Sequence, residues 1–164
     1  MKSLRELLEV NTEDLPDIYC DMDGVLCNFM KAADYAVGGD FVTSEYMLAW
    51  FNVARMNLNI KFYAYTKAIG WMQDNEDMRP KNFRMIASYG SKQDNLITEE
   101  TISANVVFHP SETKLPIDKN EFYAINDNQG SFSLLLHGQQ KKDSLGSKAL
   151  SRMDKENIKY SYTR

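Results

Sequence analysis

Short apolar runs alternate with segments of amphipathic spacing along this chain. Buried parallel strands are short and almost continuously apolar, so these runs predict strands. The predicted strands are Ile18–Cys20, Ile60–Tyr65, Phe83–Ser88, Asn105–His109 and Phe122–Ile125. Apolar positions spaced at helical intervals predict the helices, at residues 2–10, 25–37, 44–54, around 69–72 and 143–157. This alternation predicts an α/β fold with a mainly parallel sheet flanked by helices.

Residues 131–137 are apolar but fit a helix and a strand equally well. No repeat, low-complexity tract or linker interrupts the chain. We therefore predict one domain over residues 1–164, with an N-terminal helix and lead-in at 1–16 and a polar tail at 159–164. In open parallel sheets, ligands bind at the carboxyl ends of the strands. Polar residues that follow the predicted strands are accordingly the first candidates for a functional site.

Composition narrows the classes of protein to consider. The chain is 43% hydrophobic and 26% charged, as is ordinary for a globular protein. Its net charge of −4 argues against a protein that binds nucleic acid by overall electrostatic attraction. No apolar run approaches the roughly 20 residues that cross a bilayer, so we expect no membrane contact. Cys20 and Cys27 cannot easily meet across a strand and its turn, which favours a reducing compartment. We expect a cytoplasmic protein, in the host cytoplasm if the gene is viral.

Two carboxylates, Asp21 and Asp23, follow the first predicted strand. A carboxylate at the end of a buried strand is costly unless a partner or a reaction uses it. Gly24 lets backbone N–H groups approach a bound anion. This pattern suits covalent phosphoryl transfer, in which one carboxylate attacks phosphorus and the other acts as acid and base. A Mg²⁺ ion held between the carboxylates would offset their repulsion of an anionic substrate. The alternative is that both aspartates cap the following helix.

The segment at residues 17–29, DIYCDMDGVLCNF, resembles the opening of haloacid-dehalogenase-like hydrolases, notably small nucleotidase-like members carried by phages. The resemblance implies a Rossmann-like fold and a Mg²⁺-dependent reaction through an aspartyl-phosphate. Asp21 would be the nucleophile and Asp23 the acid/base, and both would help to hold the metal. Little sequence separates Asp23 from the second long strand, so we expect no large cap domain and an open site.

The same resemblance implies three further site positions. Thr66 follows the second strand, where this family places a hydroxyl that binds phosphate; the alternative role is a helix cap. Lys92 or Lys67 would supply the cation, and we favour Lys92 because it follows a later strand. Asp127 would be a metal ligand, although the family usually carries two acids here and this sequence has Asn126 beside it. The alternatives are a solvated loop lysine for Lys92 and an Asx turn for Asp127.

Residues 39–164 resemble a different family, of phage-encoded proteins of unknown function. The segments that carry this resemblance are residues 39–41, 45–46, 62–67, 87–90, 134–138 and 160–162. The two resemblances together predict a recombined gene, in which a hydrolase-like start precedes the body of another phage protein. In that case Thr66, Lys92 and Asp127 would match the hydrolase pattern by coincidence.

Three functions follow from these observations. The leading hypothesis is a small Mg²⁺-dependent phosphatase acting on a nucleotide or another small phosphate ester. The alternative is a catalytically silent phage accessory protein that binds an unknown protein partner and carries a remnant of the aspartate motif. A nucleic-acid-processing role is a weaker third option because the chain is acidic.

Overall fold

The computed structural model describes the backbone of residues 20–21 and the whole of residues 40–159. Six strands form one sheet in which every neighbouring pair is parallel, in the order β1-β2-β3-β4-β6-β5. The strands are β1 Cys20–Asp21, β2 Phe62–Thr66, β3 Phe83–Ser88, β4 Ser103–Val107, β5 Ile117–Asp118 and β6 Phe132–Leu135. The α-helices are α1 Ser44–Met56, α2 Ile69–Asp74, α3 Phe122–Ile125 and α4 Leu145–Lys155. Short 3₁₀ turns cover Glu76–Met78, Asp94–Leu96 and Pro110–Glu112. The predicted α/β class with a parallel sheet is confirmed.

Local sequence explains the longest helix, α1. The Thr43 hydroxyl accepts a hydrogen bond from the Tyr46 amide at 3.1 Å, which caps the first turn. One face of the helix is buried, through Met47, Trp50, Phe51 and Ala54.

Helices cover both faces of the sheet. Alternate residues of the strands accordingly pack into two different clusters, each with its own helices. Phe62 and Ala64 of β2 join the cluster that contains α1 and α2. Tyr63, between them, joins a second cluster with Ala124 of α3. A third cluster places Met153 of α4 against β4 and β6. Burial on both faces accounts for the nearly continuous apolar sequences of β2 and β3.

The strand predicted over Phe122–Ile125 is wrong, because this segment is the short helix α3. The buried carboxylate of Asp118 accepts hydrogen bonds from the Tyr123 amide at 2.9 Å and the Ala124 amide at 3.1 Å. These bonds satisfy amides in the first turn, which have no partner within the helix itself. The ambiguous segment 131–137 contains strand β6 instead. Strand β4 begins and ends two residues earlier than predicted.

Some predictions lie outside the described residues. These are the helices at 2–10 and 25–37, Asp23, Cys27 and residues 160–164 of the tail. No segment between the described strands β2 and β6 forms a separate cap. Within the described part of the chain, no helix is long and apolar enough to cross a membrane.

Candidate functional site

The carboxyl end of β2 is held by a carboxylate from a distant part of the chain, Asp40. Its Oδ1 accepts a hydrogen bond from the Thr66 hydroxyl at 2.6 Å, and its Oδ2 accepts one from the Lys67 amide at 2.8 Å. Oδ1 also accepts from the Phe41 amide at 2.8 Å. Asp40 therefore fastens the segment before α1 to the end of β2 through two donors, and the Phe41 amide is a third, local one.

Thr66 is fully buried, and its hydroxyl is committed within the protein. It donates to Asp40 and accepts a hydrogen bond from the Ala68 amide at 3.0 Å. A hydroxyl has one hydrogen to donate. The Thr66 hydroxyl cannot donate to a phosphate unless its bond to Asp40 breaks. The N-cap of α2 is Ala68 and has no side-chain cap bond, so Thr66 is not the cap of that helix, and its role as a phosphate ligand stays a prediction.

A second carboxylate occupies the loop that follows β3. The Gly90 amide donates to Asp94 Oδ2 at 3.0 Å, and the Ser91 amide donates to Asp94 Oδ1 at 2.8 Å. The Ser91 hydroxyl donates to the same Oδ1 at 3.0 Å. Gly90 has a φ of 98°, a left-handed conformation that favours glycine and turns two consecutive amides toward one anion. Backbone hydrogen bonds from Gly90 and Ser91 lower the pKa of the Asp94 carboxyl below its ordinary value.

Two lysines were candidates for a phosphate-binding cation at this edge. Lys67 lies beside the β3 loop, since a Cβ added to Gly90 would be 4.0 Å from its Nζ. Its charge also contributes to the lowered pKa of Asp94. Lys92 is exposed in the same loop. Of the two, Lys67 is the one that the structure brings next to the carboxylates, although the sequence favoured Lys92.

Asp21 lies on β1, which is the outermost strand of the same sheet and pairs with β2. Its backbone is in register with Tyr63, three residues before Thr66 on β2. At about 3.3 Å per residue, Asp21 and Thr66 are offset by about 10 Å along the strands. The proposed acid/base, Asp23, lies outside the described residues. The described backbone thus places Asp21 on a strand that adjoins β2 but does not bring it level with Thr66.

Asp127 lies at the opposite edge of the sheet from its predicted position. Its Oδ1 is 3.9 Å from Nη1 of Arg84, the second residue of β3, and it precedes β6. Both relationships place it at the amino ends of the strands. Asp127 does not lie beside Thr66, because the strand that was predicted to end next to it is the short helix α3. Its role as a metal ligand stays a prediction.

The resemblance implied a Mg²⁺ site built from Asp21, Asp23 and Asp127. Within residues 40–159, no group of three or more His, Cys, Asp or Glu side chains is arranged to hold a metal ion. Asp40 and Asp94 already accept hydrogen bonds from the protein, and Asp127 is at the other edge. The side chains of Asp21 and Asp23 lie outside the described residues, so the Mg²⁺ site stays a prediction.

Sequence reasoning missed the carboxylates that organise this edge. Residues 39–41 and 62–67 both contributed to the phage-protein resemblance, but nothing in their spacing indicated that Asp40 and Thr66 meet. Asp94 lies four residues after a loop glycine, and an aspartate at such a spacing is common on surfaces. The buried Arg84 was also missed, since a lone arginine in an apolar run carries no motif.

A family model described as gene product 88 matches residues 35–156. The matched range contains Asp40, Thr66, Arg84 and Asp94, and it begins after the hydrolase-like segment at 17–29. No curated protein and no solved structure matches the chain. The match supports the resemblance of the longer segment to a phage protein family.

Proposed function

The chain belongs to the gene product 88 family of phage proteins, and we propose that it is a catalytically silent accessory protein. In this function it binds a protein of the phage or its host and does not hydrolyse phosphate esters. The net charge of −4 disfavours nucleic acid as the partner. The aspartate motif at residues 17–29 is then a remnant.

One observation carries this proposal: the chain's own carboxylates occupy the anion-binding donors at the carboxyl edge. Asp40 takes the Thr66 hydroxyl and the Lys67 amide after β2. Asp94 takes the Gly90 and Ser91 amides after β3. A phosphate would have to displace these carboxylates, and each displaced carboxylate would lose charge-assisted hydrogen bonds of about 1.5–3 kcal/mol. Such an edge is stabilised without a ligand.

The competing function is the Mg²⁺-dependent phosphatase. It would use Asp21 as nucleophile and Asp23 as acid/base, with Thr66 and Lys92 on the phosphate. It loses its support at two of these positions, since Thr66 is bonded to Asp40 and Lys92 is an exposed loop residue. The metal ligand Asp127 lies beside Arg84 at the other edge. The competing function therefore rests on the two aspartates of the motif alone.

The first experiment is a screen of small phosphate esters, including nucleotides, with Mg²⁺ and with a chelator. Asp21→Asn keeps the size of the side chain but cannot form an aspartyl-phosphate, so it is the matched control. We expect the natural protein and the variant to show the same background rate. Mg²⁺-dependent hydrolysis that disappears in Asp21→Asn would overturn the proposal and restore the phosphatase.

The second experiment measures the melting temperature while Mg²⁺ is titrated. An ion that binds only the folded state raises the melting temperature with concentration. We expect the same melting temperature in Mg²⁺ and in chelator.

A third experiment tests the accessory role in infection, by competing phages that carry the natural gene, the Asp21→Asn gene or a deletion. We expect Asp21→Asn to match the natural gene and the deletion to be lost. An Asp21→Asn phage that declines as fast as the deletion would contradict a silent role.

A further inference from the structure

A cavity of about 700 Å³ opens at the amino edge of the sheet, away from the carboxylates described above. Arg84 at the start of β3, Asp127 before β6 and Arg79 from the preceding turn line it. Met72, Met85 and Ile102 add an apolar wall. The volume lies within the range of about 300–1,000 Å³ that is usual for small-molecule sites.

The guanidinium of Arg84 is the unusual group in this cavity. The residue is only 5% exposed, yet it carries a charge at any accessible pH. Its Nη2 donates to the Gln129 carbonyl at 2.6 Å. Its Nε is buried and has no hydrogen-bond partner among the residues that the structure describes. A buried charge with unused donors is costly, because these donors lose their hydrogen bonds to water and gain no other polar partner.

The counter-ion of Arg84 is loosely held. Asp127 Oδ1 is 3.9 Å from Nη1, which is too far for a hydrogen bond, and the Asp127 side chain is 57% exposed. Arg79, by contrast, is well paired: its Nε and Nη2 donate to the Glu76 carboxylate, and its Nη1 donates to the Phe83 carbonyl at 2.6 Å. Burial is the main cause that lowers the pKa of the Arg84 guanidinium, and the nearby positive charge of Arg79 lowers it further. Arg84 is therefore a buried cation of the cavity with unused donors, and the exposed side chains of Lys81, Glu76 and Glu100 also line the cavity.

We infer that this cavity binds a small molecule through an oxyanion group, a carboxylate or a phosphate, that Arg84 anchors in place of Asp127. A guanidinium binds such groups with paired, charge-assisted hydrogen bonds, which the present Arg84–Asp127 geometry does not supply. The apolar part of the ligand would contact Met85 and Ile102. This inference does not depend on the accessory function, since it concerns the opposite edge of the sheet.

The test uses the full chain and two probes, inorganic phosphate and benzoate, each compared with chloride at equal ionic strength. Thermal melting and calorimetry report binding, and the two probes distinguish a phosphate site from a carboxylate site. We expect at least one probe to bind saturably. Failure of both to bind the natural protein would overturn the inference.

Variants test whether the bound anion contacts Arg84 in the cavity or a cation elsewhere in the protein. Arg84→Lys keeps the charge but loses the paired donors, so it should weaken binding at least about tenfold. Asp127→Asn removes the competing carboxylate and should strengthen binding about two- to fivefold. Asp77→Asn makes the same charge change on an exposed residue that does not line the cavity, and Lys92→Ala removes the lysine of the carboxyl edge. Both should bind as the natural protein does.

The Asp127 and Asp77 pair keeps the inference falsifiable even if Arg84→Lys does not fold. Equal gains in Asp127→Asn and Asp77→Asn would reduce the effect to general charge and overturn the site. Binding that is unchanged in Arg84→Lys, or lost in Lys92→Ala, would move the anion to another part of the protein.

Discussion

The carboxyl and amino edges of the sheet differ in how fully their charged side chains are paired. At the carboxyl edge, Asp40 and Asp94 each accept three hydrogen bonds from the protein, so hydroxyl and amide donors are satisfied from within. At the amino edge, Arg84 is buried, its Nε has no partner within the described part of the chain, and its counter-ion is 3.9 Å away. Parallel sheets usually bind ligands at the carboxyl edge. In this protein, the buried Arg84 donor that lacks a partner among the described residues lies at the amino edge instead.

This contrast indicates that a binding site is recognised by the hydrogen-bond partners that its polar groups still lack. A donor that already has a charged partner gains little from a ligand, since binding exchanges one bond for another. A buried donor without a partner gains the full value of a new bond. Position in the fold suggests where to look, but the state of each donor decides what can bind.

The largest expected contrast in the free energy of unfolding is between two variants that each remove one carboxylate, one at each edge. Asp40→Ala leaves the buried Thr66 hydroxyl and the Phe41 and Lys67 amides without their acceptor, and should lower the free energy of unfolding by about 2–4 kcal/mol. Asp127→Ala removes a long ion pair whose carboxylate is 57% exposed, and should change it by about 1 kcal/mol or less. Urea unfolding of both variants measures the contrast. Equal effects would remove the distinction between the edges.

Much of the fold could be predicted because its strands are buried on both faces. Strand β3 matches its predicted bounds, and β2 and α1 differ from theirs by about two residues. The failure at Phe122–Ile125 has a physical cause. Four apolar residues fit a strand as well as a helix, and the deciding bonds come from Asp118, which lies outside the apolar run.

The candidate site could be predicted much less well, because its contacts join residues far apart in sequence. Thr66 was correctly placed at the end of β2, but its partner Asp40 lies 26 residues earlier. Asp127 was assigned to the wrong edge as a direct result of the error in α3. Motif spacing finds residues that share a local segment. It cannot find a carboxylate that arrives from another element.

The second prediction tests whether Asp40 and Thr66 act as one unit. Thr66→Val keeps the shape of the side chain but removes the hydroxyl, which leaves the Ala68 amide and Asp40 each short of one bond. We expect a loss of about 1–2 kcal/mol in the free energy of unfolding. In the Asp40→Ala background the same change should cost at least about 0.5 kcal/mol less, because the shared bond is already gone. Additive effects would contradict the coupling.

A smaller effect is expected at the loop after β3. Gly90→Ala places a Cβ on a residue with a φ of 98°, and the nearest atom, Lys67 Nζ, is 4.0 Å away. Space is therefore available, and the cost is one of backbone conformation, about 1 kcal/mol. Gly130→Ala is the matched control, since a Cβ there meets nothing within 4 Å and its φ is not left-handed. If both variants unfold at the same urea concentration, the left-handed turn does not organise the carboxyl edge.

The smallest predicted effect is a pH dependence from Asp94, whose ordinary carboxyl pKa of 3.8 is lowered by the Gly90 and Ser91 amides. A lowered folded-state pKa stabilises the fold above the ordinary value, and this stabilisation is lost as the pH falls through the folded value. Asp94→Asn removes the titrating group. The natural protein should therefore melt above the variant at pH 6, and the difference should shrink as the pH falls below about 4. Ser91→Ala keeps the carboxylate and both amide donors, so its melting profile should retain the pH dependence. A difference between Asp94→Asn and the natural protein that stays constant from pH 6 to pH 3 would show that the carboxylate charge does not hold this loop.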